Sequence, residues 1–179
     1  VDALPNAEVS AINNPSMAIS AYQQYKETLN TLPYSIQLRW HTVAIRAALN
    51  NSQFLFAEEI LEQALLISPR SLPRLKKYAE ICLNNQHFEK ATFAYEQTYK
   101  LAHNSIHHSP ENAINFAKAL IEYVPTLPMF DAKRMTSKAY KYLHQMNRDF
   151  KEAAIRIQSH LLSACLLKQT NENILSKEE

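Results

Sequence analysis

The chain has 179 residues, of which 46% are hydrophobic and 20% charged, with a formal net charge of +2 and no glycine at all. That is enough apolar material for one packed domain, and the charge is too evenly mixed to draw the chain strongly to nucleic acid or an anionic membrane. With average usage near 7%, about a dozen glycines are missing, which excludes the G-x-G-x-x-G and G-x-x-x-x-G-K-[ST] phosphate loops and the G-x-S-x-G nucleophile elbow, and leaves Asn and Asp to supply the positive-φ turns of an all-β fold.

In chain order, residues 1–12 read as a tail or linker. The opening VDALPNAEVS lacks the basic-then-apolar order of a signal peptide, and its missing initiator Met implies a longer parent chain. A helix opens at Asn14-Pro15, with Asn as cap and Pro in the first turn, and carries Met17, Ala18, Ala21, Tyr22, Tyr25 and Leu29 on one face before Pro33. A second runs from about Ser35 to Leu49, with Leu38, Trp40, Val43, Ala44, Ala47 and Ala48. The pair Asn50-Asn51 turns into a third, Phe54 to Ser68, and Ser71 caps a fourth with Leu75, Tyr78, Ala79, Cys82 and Leu83 inward. Asn84-Asn85 leads to a fifth, about His87 to Ala102. The loop NSIHHSP follows, then a helix from Ser109-Pro110-Glu111, an interruption at PTLP, and two further helices from Phe130 to Met146 and from Arg148 to about Lys168. Residues 171–179 read as a frayed tail, which leaves 13–170 as a single all-α domain of about eight helices.

Within this series the chain repeats itself. Phe54 and Phe88, Ala57 and Ala91, Leu61 and Tyr95, Ala64 and Thr98, Ile67 and Leu101 are each 34 residues apart, as are the two Asn-Asn pairs. Phe150, Ala153 and Ile157 restate the pattern of Phe54, Ala57 and Leu61. A helix pair repeated in this way exposes an apolar face and gains stability by stacking on its neighbours.

Reactive groups are sparse. His103, His107 and His108 fall within six residues, and an H-x-x-x-H spacing suits zinc on a helix. Asn104, Ser105 and the capping Ser109 nevertheless place His107 and His108 in a loop, and no nearby Cys or Asp completes a set. A helix-terminus or packing role is therefore expected, with no metal and no cofactor. Three Asp residues, Asp2, Asp131 and Asp149, lie far apart, and Glu58, Glu59, Glu62 and Glu96 are expected in solvent on second helices. No catalytic set can be assembled from spacing, so a non-enzyme is expected. Arg70, Arg74, Lys76 and Lys77 could contact phosphates, as could Lys133, Arg134, Lys138 and Lys141, but a solvated face explains both groups. Cys82 and Cys165 have no C-x-x-C partner, and each is expected to pack as a small apolar side chain in a reducing compartment, the cytoplasm. No apolar run approaches the ~18 residues that span a bilayer.

The 34-residue period, with Ala followed four residues later by a large apolar side chain and Pro69 closing the unit, resembles the tetratricopeptide (TPR) repeat over Ser35–Leu101 and again over Ser137–Leu161. The resemblance implies antiparallel helix pairs stacked as a short right-handed superhelix. Ala79 supplies the small residue such repeats need where first helices cross, whereas Ile45 and Lys141 stand there in the other units. It also implies a concave groove for a protein or peptide partner, lined by Arg39, Thr42, Arg46, Leu49 and Asn50, then Lys76, Glu80, Leu83 and Asn84. The Lys/Asn set by which some TPR domains hold chaperone C-termini is absent. Residues 95–122, YEQTYKLAHNSIHHSPENAINFAKALIE, are similar to a segment of bacterial response regulators that join a receiver domain to a TPR region. That similarity implies an output module of a two-component system, with the receiver domain of the parent chain as a further partner.

On the last helix, Phe150, Ala153, Ile157, Leu161 and Ala164 form the expected core stripe. A second apolar line of Ile155, Leu162 and Leu166 is a candidate for self-association as a homodimer, since the end helix of a solenoid normally turns a polar face outward. The expected function is a protein–protein interaction scaffold; the alternative is nucleic-acid binding through the Arg70–Lys77 cluster.

Overall fold

The computed structural model describes residues 3–175. Among them are nine α-helices, one 3-10 turn and no strand. The helices are α1 (Ala3–Asn13), α2 (Pro15–Leu29), α3 (Tyr34–Asn50), α4 (Phe54–Ile67), α5 (Leu72–Asn84), α6 (Phe88–Ala102), α7 (Pro110–Tyr123), α8 (Met129–Asp149) and α9 (Ala153–Leu175), with the 3-10 turn at Val124–Thr126. Sequence neighbours pack as pairs, giving an all-α, repeat-like arrangement. The chain divides into two compact units, Val1–Asn85 and Gln86–Glu179, where one continuous domain was expected. No helix is long and apolar enough to cross a membrane among the described residues.

In the first unit, the described part of the expected N-terminal tail, from Ala3 on, is a helix; residues 1–2 lie outside the described residues. Leu4 and Ala11 lie two turns apart on one face of α1 and are buried, and the Asn50 side chain donates to the Ala11 carbonyl at 3.0 Å. Asn14 caps α2, its side chain accepting from the Met17 N–H at 3.3 Å, and Pro15 occupies the first turn, where a missing N–H costs nothing. The buried face of α2 is Ala18, Ile19, Tyr22 and Leu29. Met17 faces solvent instead, and the Tyr25 ring lies partly exposed over Trp40. Helix α3 packs on α1, α2 and α4, so its burial extends round most of the cylinder, from Trp40 and Ala44 to Ala47 and Ala48. Between α4 and α5, Ala57, Ala64 and Ala79, all fully buried, let the backbones approach around Leu61, Tyr78 and Cys82.

In the second unit, α7 is the central helix: it packs on α6, α8 and α9, and Phe116, Ala117 and Leu120 are completely buried. Helix α9 departs from its sequence reading in two ways. Ile155, Leu162 and Leu166, the candidates for self-association, are the inward line, whereas Ile157 and Leu161 are 61% and 62% exposed and Ala153 and Ala164 are also outside. The reason lies beside the apolar residues: Ser159, Thr170 and Asn173 share the inward face and find partners there. Thr170 bonds Thr136 at 2.8 Å, Ser159 accepts from the Asn147 amide at 2.9 Å, and the Asn173 amide donates to the carbonyls of Val124 and Leu127 at 2.9 and 3.0 Å. The same bonds carry the helix on to Leu175, so the described part of the expected tail is ordered helix; residues 176–179 lie outside the described residues. The restatement of the Phe54-Ala57-Leu61 pattern at Phe150-Ala153-Ile157 is thus not a repeat in packing. Cys82 is buried as expected, but Cys165 is exposed on α9.

Candidate functional site

A cavity of about 400 Å³ opens between α3 and the first turn of α5, within the first unit. Ser35, Arg39, Thr42 and Arg46 recur at helical spacing along one side of α3, Leu38 and Val43 add apolar wall, and Arg74 enters from α5. Of the expected groove residues, Arg39, Thr42 and Arg46 meet there. Leu49 is half-buried further along α3, and Asn50 is turned to α1 by its bond to Ala11. Lys76 and Leu83 are half-buried and Asn84 is exposed, while Glu80 pairs with Lys77 at 3.1 Å. These four α5 residues are not among those lining the cavity.

Arg74 is the groove residue that sequence reasoning missed, because its neighbours in sequence placed it in a cationic cluster. Its Nη1 donates to Ser68 Oγ at 3.1 Å and Ser71 Oγ at 3.3 Å, bonds that tie the guanidinium to the α4–α5 turn and fix it beside α3. Its charge is felt at His41, whose imidazole is lowered to about 4 first by burial and then by Arg74. The Tyr22 hydroxyl and His41 Nδ1 are 2.9 Å apart, and burial pushes the Tyr22 phenol up to about 12. Tyr22, His41 and Gln37 also line a second cavity of about 370 Å³, but there the polar groups bond protein atoms, with Gln37 donating to the Leu32 carbonyl at 2.7 Å.

The acidic residues expected in solvent are mostly inside. Glu58 is 3% exposed and accepts from Asn85 at 2.7 Å, Glu62 accepts from the Tyr78 hydroxyl at 2.6 Å, and only Glu59 faces water. Glu96, in the second unit, is a buried hub: Lys100 and Lys138 approach at 2.7 and 3.1 Å, and the Tyr142 hydroxyl donates at 3.1 Å. Two cations assigned to a possible phosphate face are therefore paired, Lys138 with Glu96 and Arg134 with Asp131 at 2.8 Å. Of the three clustered histidines, His107 is exposed and His103 and His108 converge. The carboxylate that the local sequence lacks comes from Asp149 at the end of α8, and ligand atoms of the three lie within 4.8 Å of one another.

No family model matches the sequence, and no curated protein is significantly similar to it.

Proposed function

We propose that the chain is a non-catalytic helical-repeat module that captures an acidic polypeptide segment in the α3–α5 cavity. The observation that carries this reading is the convergence of Arg39, Arg46 and Arg74, from two helices, on one cavity with Leu38, Val43 and Thr42 between them. Planar guanidiniums grip carboxylates in bidentate fashion, and apolar wall between them accepts the side chains that separate two acids in a peptide. A polypeptide fits better than nucleic acid because the Arg70–Lys77 cations do not form one face: Arg74 turns into the cavity, Lys76 is half-buried and Lys77 is paired with Glu80. In a two-component system, the role that the similarity of residues 95–122 implies, the module would be the cytoplasmic output half and the partner a signalling protein.

The test is fluorescence anisotropy of a labelled ten-residue peptide alternating Glu with Leu, against the same titration with a single-stranded oligonucleotide. Arg46→Glu is expected to weaken the peptide at least tenfold, about 1.4 kcal/mol, while Lys76→Glu leaves it unchanged. An unaltered peptide affinity in Arg46→Glu, or an oligonucleotide that binds more tightly than the peptide and is released by Lys76→Glu, would overturn the reading.

A further inference from the structure

We infer that His103, His108 and Asp149 form a binding site for a zinc-type divalent transition metal, which clasps the α6–α7 loop to the end of α8. Three separate parts of the second unit supply the donors. His103 is the residue that closes α6, still in helical conformation. His108 follows a tight turn in which its N–H bonds the Ser105 carbonyl at 3.0 Å. Asp149 is the last residue of α8, 41 positions further on. One edge of a coordination polyhedron is already closed, since His108 Nε2 and Asp149 Oδ2 are 3.0 Å apart. Tetrahedral zinc with bonds near 2.0–2.1 Å needs donor–donor edges of roughly 3.3 Å, so the widest present separation, within 4.8 Å, closes by side-chain movement alone.

The surroundings hold these side chains in place as metal ligands are held. The second Asp149 oxygen accepts from Gln145 Nε2 at 2.8 Å, which fixes the carboxylate plane. The His103 ring stacks on Tyr99 at 5.5 Å and 17°, and Tyr99 stacks in turn on Tyr142 at 4.0 Å. His108 stands edge-on to His103 at 4.8 Å with Phe150 beside it at 5.1 Å. An ordinary His108–Asp149 ion pair would explain one contact of this set. It would not explain why His103 Nδ1, on the ring facing this pair, is buried without a hydrogen-bond partner, a state that costs about 1–3 kcal/mol. Native structures carry few groups of this kind, and a bound ion is one of the arrangements that satisfies them. The donor set selects the metal: two imidazoles and one carboxylate suit zinc or its neighbours, whereas calcium and magnesium take oxygen ligands. Three protein ligands leave a fourth position for water.

The experiment is calorimetric titration of Zn²⁺ into the full chain carrying Cys165→Ser, which removes the exposed thiol as a competing ligand. Parallel Co²⁺ additions are read by visible absorption. One equivalent is expected, with cobalt bands of tetrahedral intensity, and His103→Gln and Asp149→Asn should each weaken the metal about tenfold or more. His107→Gln should bind as the parent does. Absence of a stoichiometric site overturns the inference, as does equal affinity in His103→Gln and Asp149→Asn, or loss of the site with His107→Gln alone. Far-UV circular dichroism of each variant without metal separates loss of ligand from loss of fold, and either ligand variant that stays folded decides the matter.

Discussion

Glu62 and Glu96 are 34 residues apart and hold equivalent places on α4 and α6, yet the two units of the molecule use them differently. In the first unit Glu62 is half-buried and accepts from Tyr78 of α5, and burial followed by that hydrogen bond drives the Tyr78 phenol far above its ordinary value. In the second unit Glu96 is buried among two ammonium groups and a phenol. Burial by itself would raise the Glu96 carboxyl, but hydrogen bonds from Lys100 and Lys138 outweigh it and hold the group below the ordinary glutamate value of 4.5. A repeat spacing therefore dictates where a side chain leaves the backbone, and the helix that packs against it dictates what the side chain does.

The largest effect expected from this contrast is in the second unit. Glu96→Ala leaves Lys138 and the Tyr142 hydroxyl without their partner, and removing one member of a buried charged set costs about 3 kcal/mol. Glu62→Ala breaks a part-buried hydrogen bond of the kind worth roughly 1–2 kcal/mol. Urea unfolding followed by circular dichroism measures both, and equal losses would erase the distinction between the units. Acid titration adds a second reading. Because the folded Glu96 value lies below 4.5, its contribution is complete above that value and disappears as pH falls through the lower folded one. Glu96→Gln should flatten stability in that acid range alone.

The first unit should yield to acid earlier. An unfolded histidine takes up a proton near 6.5, whereas folded His41 resists until about 4. The unfolded chain thus gains the proton first, and the stability that neutral His41 provides is complete above 6.5 and is lost between 6.5 and 4, on the order of 2 kcal/mol once solvent screening is allowed for. Trp40, the only tryptophan, is the residue before His41 and 3% exposed, so its emission reports this unit. His41→Gln should abolish the slope of the Trp40 midpoint between pH 6.5 and 4 without touching the Glu96 window. A slope that persists would mean that some other group titrates in the first unit.

Much of this architecture was legible in the residues, and the failures share one cause. Helices bounded by Pro and Asn, such as α2, α3, α5 and α7, fall within a residue or two of where caps and periodicity put them. Helix α9 defeated the same reasoning because both of its faces are apolar: Ile157 and Leu161 point one way, Leu162 and Leu166 the other. What decides between them is the polar set Ser159, Thr170 and Asn173, whose partners Asn147, Thr136 and Val124 are remote in sequence. The candidate sites show the same split. Arg39, Thr42 and Arg46 were readable as one helix face, but Arg74 and Asp149 join their clusters from 28 or more positions away, and no local pattern announces either.

The smallest expected effect concerns how a chain without glycine turns. Asn-Asn pairs end α3 and α5, and Asn is the residue best suited to positive φ after Gly, yet the left-handed residues are those that follow, Ser52 at φ 56° and Gln86 at φ 61°, again 34 apart. At the first turn the bonding explains the choice. The N–H of Gln53 reaches the Ala48 carbonyl at 2.8 Å and that of Ser52 the Leu49 carbonyl at 3.1 Å, the paired bonds of a helix end whose left-handed residue must be Ser52. At the second turn Asn85 has another use, donating to the Phe54 carbonyl and to Glu58 while its own φ stays at −82°. Ser52→Gly should therefore stabilise the first unit by about 0.5–1 kcal/mol in urea unfolding, because relief of the left-handed strain exceeds the entropy that glycine adds to the unfolded chain. Asn51→Gly, at φ −100°, gains no such relief and should destabilise by a similar amount. Opposite signs at adjacent positions are a demanding outcome: a shared sign would place the strain elsewhere in the turn and remove the reason why the repeat can dispense with glycine.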